Sequence, residues 1–342
     1  MKRIFGMAFI MALTLTFGVW ARGGSQAQES SPAQGSSPAV IHLKLSGVTS
    51  DSANLAEVRF KEIVERESGG SIIVDLFPRN QLGDDRTNVE TTIFGDLDIA
   101  VTSTSSIATM YHDLYIFDAP FLFLGNENAY AALDGPTGKK ILDGMAAIGL
   151  RGLCFWENGF RNYTNNKVPA RTPADLRGFK VRTMENEIHL AAWRAFGANP
   201  TPMAFTELFT ALQQGTVDAQ ENPLGIIAAN KFNEVQKFVS MTQHVYTPYL
   251  VVMNAKKYDS LSPAQKAVID KAAAESTKFQ RETSQRLEKE IMNSFSSQGV
   301  TVVNLTEAEK GAFQKIVNDN NIFELVKTKV DHPEYVDELL KK

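Results

Sequence analysis

The sequence predicts an α/β protein of two bodies with a cleft between them, spanned by one long helix. Strand-like and helix-like segments alternate from about residue 40 to about residue 250, as in a sheet covered by helices. Two stretches, "VETTIFGDLDIAVTS" and "LFTALQQGTVDAQEN", share a helix, a glycine stop, an aspartate and a short strand; Gly95 and Asp98 match Gly215 and Asp218 at the same spacing. The third observation is the run from Ser262 to Gly299. Its roughly 36 helical residues would reach about 54 Å, longer than one domain of this size.

Taken in order, "VIHLKLSG" alternates apolar and polar residues as a half-buried strand does. The next segment is a helix with Ser50 or Asp51 as N-cap, Leu55, Val58 and the pair Ile63/Val64 facing the core, and Gly69–Gly70 as the stop. "SIIVDLFP" is the second strand. The echo at Asp98 and Asp218 suggests two similar domains, each presenting the carboxyl end of a strand to something shared, the place where open α/β sheets bind ligands. Residues Thr102 to Ser105 stand there in the first half, Glu221 and Asn222 in the second. The long helix has Ser262 as N-cap, Pro263 at its first position and Gly299 as C-cap. Its apolar residues gather at the ends, Ala267, Val268 and Ala272, then Leu287, Ile291 and Phe295, leaving a wetter waist. The alternative is two helices broken near Thr283.

Of 342 residues, 43% are hydrophobic and 22% charged, with a net charge of −4. That suits a soluble globular protein and argues against a nucleic-acid partner. "MKR", a long apolar run and a Ser/Pro/Gln-rich stretch read as a secretory signal peptide, residues 1–27, and a flexible tether, 28–39. Cleavage falls after Ala21 or Ala27. The shorter-range alternative is an uncleaved anchor, since the run is nearly long enough to span a bilayer. Removing residues 1–27 takes away Lys2, Arg3 and Arg22 and no acid, so the charge goes from −4 to −7. The single cysteine, Cys154, sits in an apolar strand-like stretch and excludes an intrachain disulfide.

No nucleophile, metal or dinucleotide motif occurs. "GPTGKK" lacks the leading glycine of a phosphate loop, with Leu133 in its place, and lacks the Ser/Thr after the lysine. His189 near Glu185 and Glu187 has metal-ligand spacing on a helix, but a solvated helix face is the plainer reading. No metal and no cofactor is expected. An exported two-body protein with a polar cleft and no catalytic group is, by default, a binding protein. The arginine at the end of "FKV", Arg182, is either a ligand contact or a structural partner of Glu185 or Glu187.

Five stretches, "FPRNQLGDDR", "GFRNYTN", "LRGFKVRTMEN", "GANPTPMAFTELFTALQQGTVDAQENP" and "KFNEVQKFVSMTQH", closely resemble the substrate-binding proteins of tripartite ATP-independent periplasmic (TRAP) transporters, of DctP type. The resemblance runs over nearly all of residues 40–330. It implies a two-domain periplasmic-binding-protein fold, not an enzyme, with one domain from 40–158 and 248–286 and the other from 159–247 and 287–342. It implies a periplasmic receptor that closes on a small-molecule carboxylate and delivers it to TRAP membrane permease subunits.

The resemblance also assigns residues. Arg182 falls on the arginine that clamps the ligand carboxylate through paired N–H donors, a geometry lysine cannot supply. Arg161 falls on a second arginine near the same carboxylate, and Asn222 on the asparagine that meets it from the adjacent strand end. Phe205 falls on an aromatic that packs against the ligand, or serves the core only. Glu185 would accept from a ligand hydroxyl, or point into solvent. Ser103 and Thr104 would line the other domain's wall, and Trp156 and Glu157 would close one side. Because "VTSTSS" offers no cation, the expected ligand is a hydroxylated monocarboxylate such as a uronate or other sugar acid. A 2-keto acid or C4-dicarboxylate is the alternative ligand. A periplasmic sensor component feeding a kinase is the alternative role, and an exported enzyme on this scaffold the remaining rival.

Overall fold

The computed structural model describes residues 40–341; the signal and tether readings, including the cleavage sites, fall outside them. Nine strands form one sheet: β1 Ile41–Ser46, β2 Ile72–Phe77, β3 Ile99–Ser103, β4 Leu150–Asn165, β5 Lys180–Thr183, β6 Asn199–Pro202, β7 Ala219–Asn222, β8 Phe238–Asn254 and β9 Thr301–Asn304. The order is β2-β1-β3-β8-β4-β7-β5-β6, with β9 also on β8. The chain thus has the α/β two-domain architecture expected, and the two long strands are what joins its halves. The carboxyl end of β8 pairs with β3 and its amino end with β9, while β4 lies antiparallel to it throughout. Short parallel sets flank this pair, β1, β2 and β3 on one side and β5, β6 and β7 on the other.

The sequence echo is a repeated piece of structure. Gly95 and Gly215 both take left-handed φ, 92° and 71°, which lets each helix stop and the chain turn straight into a strand. The Asp98 carboxylate then accepts from the backbone N–H of Lys44 at 2.8 Å, and Asp218 accepts from that of Lys180 at 2.9 Å. In return, the Asp98 and Asp218 amides donate to the carbonyls of the same two lysines. Each aspartate therefore sets the register at which a parallel neighbour enters, β1 beside β3 and β5 beside β7. The carboxyl ends of β3, β5 and β7 in this way come to face the cleft.

The long helix runs unbroken from Pro263 to Phe295, with Ser262 and Gln265 forming a reciprocal cap and a final turn ending at Gly299, φ 73°. There is no break at Thr283. The waist is polar but not wet: Ser276, Gln280 and Thr283 are buried. Gln280 spends its carboxamide on strand β4, accepting from the Glu157 amide at 2.7 Å and donating to the Glu157 carbonyl at 2.7 Å. The register of β4 against β8 shifts between Glu157 and Gly159, so backbone groups freed by the bulge need a partner. The polar middle of the helix supplies it. At the ends, Ile269, Ala272 and Phe295 are buried, but Ala267 is exposed and Leu287 and Ile291 only half-buried.

The helix Asp51–Glu67 corrects the reading of its core face. Leu55 and Val58 are exposed, while Ala53, Ala56, Phe60, Ile63 and Val64 are buried. Small residues at Ala53 and Ala56 mark the close-packed side, which a scan for large apolar groups passes over. Cys154 is half-buried on β4, with burial pushing its thiol up to about 12. At the chain's end, Glu338 meets Thr137 at 2.6 Å and His332 meets Asp113 at 2.7 Å, so the segment 287–342 makes its last contacts with first-half elements. Among the described residues no helix is long and apolar enough to cross a membrane.

Glu57 is the one fully buried carboxyl on the helix Asp51–Glu67. It packs against Gly47, where a Cβ would lie only 1.7 Å from Oε1, and that close approach lets the chain bend into the cleft wall at Val48 and Thr49. Burial raises its pKa from 4.5 to about 8. The folded state therefore keeps a proton that the unfolded chain releases, so stability falls as pH rises from about 4.5 to about 8. Glu57→Gln should remove this slope. The variant's advantage over wild type in denaturant unfolding should grow by about 3 kcal/mol between pH 5 and pH 8. An equal gap at both pH values would refute the assignment.

Candidate functional site

The strand ends converge on one cavity. Arg161, Arg182, Glu185, Phe205 and Asn222 line it from the second half, and Ser103 from the first. Its wall is completed by Asp84, Asp85 and Arg86 from the start of the helix Asp85–Phe94, by Asn158 on β4, and by Met184, Met203 and Tyr249. Six of the nine residues expected at the site are brought together here.

Arg182 ends up where a buried cation is least comfortable. It is 2% exposed, and among the described residues no carboxylate lies within ion-pair distance of it. Its Nε and Nη2 both donate to the Met203 carbonyl, at 3.0 and 2.7 Å, and the guanidinium lies 5.8 Å over the Phe205 ring. Nη1 has no partner among the described residues. Desolvation by burial lowers its pKa to about 10, still far above neutrality, so the charge stays. The structural alternative for this arginine is corrected: Glu187 pairs with Lys329, and Glu185 stands exposed on the cavity rim. A buried cation without a counter-ion is costly, and a carboxylate laid across Nη1 would offset that cost.

Arg161 is differently placed. It is 1% exposed and forks onto Glu221, Nε to Oε2 at 2.5 Å and Nη2 to Oε1 at 2.9 Å, while Nη2 also reaches Asn222 Oδ1 at 3.1 Å. Burial works against Glu221, but the Arg161 charge and bonds from His189 and His244 hold its carboxyl well below the usual range. Neutral His244 donates Nε2–H to Glu221 at 3.1 Å and accepts from the Thr242 hydroxyl at 2.8 Å, a tautomer its two partners dictate. The guanidinium plane is thereby fixed, leaving Nη1 free of protein partners among the described residues. Asn222 is fixed too, its Nδ2 donating to Gln220 Oε1 at 2.5 Å.

Three expected residues do not reach the cavity. Thr104 is fully buried and donates to the Pro248 carbonyl at 3.3 Å. It opens the short helix Thr104–Ile107, whose period puts Ser106, three residues from Ser103, on the cavity side instead. Trp156 is buried in the core, and Glu157 turns away to Tyr130, Ser284 and Gln285. The bulge after Glu157 re-aims β4 so that Asn158 and Arg161, three apart, share the cleft face. His189, read as solvated, is 2% exposed and faces Asp118 and Glu221.

The cavity also holds residues that sequence reasoning missed. Buried oxygens of Asn80, Ser103 and Asn158 have no hydrogen-bond partner among the described residues, an arrangement that calls for donors from outside the protein. Asp85 accepts from the Ser103 amide at 2.9 Å, and burial raises its pKa to about 6, so it is mainly ionised at pH 7. Arg86 is the first-half cation that "VTSTSS" could not reveal, but it is tethered to Thr109 at 2.9 Å and lies 3.9 Å from Glu90. "GDDR" was the signal: acids at the start of a helix that opens into the cleft.

The profile of the family described as "Bacterial extracellular solute-binding protein, family 7" matches residues 48–321. The chain belongs to that family, whose members are receptors of TRAP transporters and not enzymes. It is 36% identical over 263 residues to the 2,3-diketo-L-gulonate-binding periplasmic protein YiaO of Escherichia coli, covering 77% of this chain and 80% of that one. The crystal structure of the sugar acid binding protein DctPAm from Advenella mimigardefordensis, in complex with galactonate, superposes with a TM-score of 0.85 at 37% identity, over 89% of this chain and 98% of that one. A TRAP solute binding protein from Polaromonas bound to D-erythronate superposes at 0.83 with 36% identity, over 88% and 98%.

Removing the unpaired charge separates stability from binding. Arg182→Met keeps the length of the side chain and discards the buried cation. It should make the ligand-free protein more stable by about 1–4 kcal/mol while abolishing any stabilisation by organic acids. Loss of stability in the ligand-free variant would show that Arg182 is structural.

Proposed function

We propose that the protein is the periplasmic receptor of a TRAP transporter for a hydroxylated monocarboxylate, a sugar acid, which it encloses in the cleft and passes to the membrane permease. The observation that carries this reading is the lining of the cavity: guanidinium N–H groups without a protein partner from the second half, acids and unpartnered oxygens from the first. The ligand carboxylate lies between Nη1 of Arg182 and Nη1 of Arg161, with Asn222 beside it. Charge-assisted bonds of this kind are roughly twice as strong as neutral ones. Phe205 and Met203 cover the carbon chain.

The far wall decides the substrate class. Asp84 and Asp85 outnumber Arg86, so a second carboxylate there meets net repulsion, whereas hydroxyl groups find the acceptors Asp85, Ser103, Asn80 and Asn158. Glu185 on the rim is one more acceptor. The ligands of these relatives, galactonate, D-erythronate and 2,3-diketo-L-gulonate, are acids that carry oxygens along the chain. They support the same class.

Thermal unfolding of the full chain against galactonate, erythronate, glucuronate, a simple 2-keto acid and succinate tests the reading. A true ligand at a thousandfold excess over its dissociation constant adds about 4 kcal/mol of stability. Sugar acids should raise the midpoint by several degrees, and a shift with succinate or the keto acid alone would overturn the assignment of the far wall. Calorimetry on Asp85→Ala should show a loss of about 1.5–3 kcal/mol for a polyhydroxy acid and little for glycolate. Equal losses for both would remove Asp85 from hydroxyl recognition.

A further inference from the structure

The buried charges beneath Arg161 continue past Glu221. We propose that His189 and Asp118 are positioning residues for the carboxylate clamp, acting through Glu221 on Arg161, so that acid binding depends on a proton held by His189. This rests on the reading of the cleft given above. His189 lies in the first turn of the helix Glu187–Ala195, where its backbone N–H donates to Asn186 Oδ1 at 3.2 Å. Its ring faces acids on two other elements. Nε2 is 3.0 Å from Asp118 Oδ1, at the end of the segment His112–Asp118, and Nδ1 is 3.9 Å from Glu221 Oε1 on β7. Two carboxylates thus flank the ring, one in hydrogen-bond contact and one at ion-pair distance, a setting that favours the imidazolium. Burial pushes the ring's pKa down, but Asp118 and Glu221 more than compensate and bring it to about 8.

The other ionisable groups around it are accounted for. His244 on β8 stays neutral under burial, and Arg161 on β4 stays charged against Glu221. Arg161, Arg182 and His189 oppose Glu221 and Asp118, which leaves this set of five one positive charge beneath the clamp, apart from Asp84, Asp85, Arg86 and Glu185 elsewhere on the lining. Without the His189 proton the set is neutral. Glu221 then turns its full charge on Arg161 and lowers the potential where the ligand sits. Asp118 is held in turn by Ser105 Oγ and by Asn186 Nδ2 at 2.6 Å, and Asn186 also donates to the Ser105 carbonyl at 3.2 Å. Ser105 is buried behind the cavity-lining Ser103 and Ser106. The alternating charges therefore run from the clamp to the back of the first-half wall.

Calorimetry of the full chain with galactonate at pH 6.0 to 9.5 tests this, since the galactonate carboxylate does not titrate there. Wild-type affinity should be level to about pH 7.5 and at least about threefold weaker by pH 9.5. His189→Gln should bind about tenfold more weakly at pH 7 with a flat profile. Asp118→Asn, which removes one of the acids that hold the proton, should move the wild-type fall to lower pH. A flat wild-type profile, or an Asp118→Asn profile superposing on wild type, would overturn the proposal even if His189→Gln were destabilised. A pH-dependent wild type with the shifted Asp118→Asn profile supports it if His189→Gln fails to fold. Absence of binding by every organic acid in the wild type would instead sink the receptor reading, and this proposal with it.

Discussion

A guanidinium held in the protein interior with no carboxylate beside it is the constraint on which the rest of the site depends. Arg182 keeps its charge at any physiological pH, and the Met203 carbonyl satisfies only part of its fork. A conformation that buries it is favourable only when an anion shares the space. Arg161 shows the other solution to the same problem, a full internal partner in Glu221. The two arginines thus have separate tasks. One is neutralised by the protein and, in the proposed function, serves as a rigid donor; the other has no counter-ion among the described residues and would take one from the ligand. An account that treated them as equivalent would predict a site fit for two carboxylates.

The scaffold explains why both can be placed so accurately. Their strands, β4 and β5, flank β7, which carries Glu221 and Asn222. Pairing fixes these residues to within a hydrogen-bond length, and the Asp218 lock sets the entry of β5. On the first side, the same device at Asp98 sets β3 beside β1, and so Ser103. Between the two sides run β4 and β8, joined along their length but out of register near Glu157. A bulge there frees backbone groups, which Gln280 of the long helix holds through both the amide and the carbonyl.

Much of this was legible in the sequence, and for identifiable reasons. Helix length, end caps and a glycine–aspartate echo are local signals, and the long helix, both aspartate locks and the strand-end location of Arg182 follow from them. Asn222 and Ser103 were reachable because the chain turns at strand ends in a regular way. Failures gather where a signal is not local. One extra residue in β4 turned Glu157 and Trp156 away from the cleft and brought Asn158 in, and no periodicity in "FWENGF" announces a bulge. A two-residue phase error in the helix after Ser103 exchanged Thr104 for Ser106. Asp85 and Arg86 come from another element altogether, and His189 looked like surface because both of its acidic partners are distant in sequence.

The misreading of His189 is instructive about how such a cleft is built. A histidine two and four residues after glutamates, in the first turn of an amphipathic helix, invites a local explanation, solvent or metal. In the fold, neither neighbour matters: Glu187 serves Lys329, Glu185 faces the cavity rim, and the ring turns inward to Asp118 and Glu221. An interior that must present positive charge to a ligand needs acids to orient its arginines, and those acids would cancel the charge they orient. Adding a third cation behind the acids resolves the conflict. Orientation and net potential become separate properties, the first set by Glu221 and the second by the proton on His189.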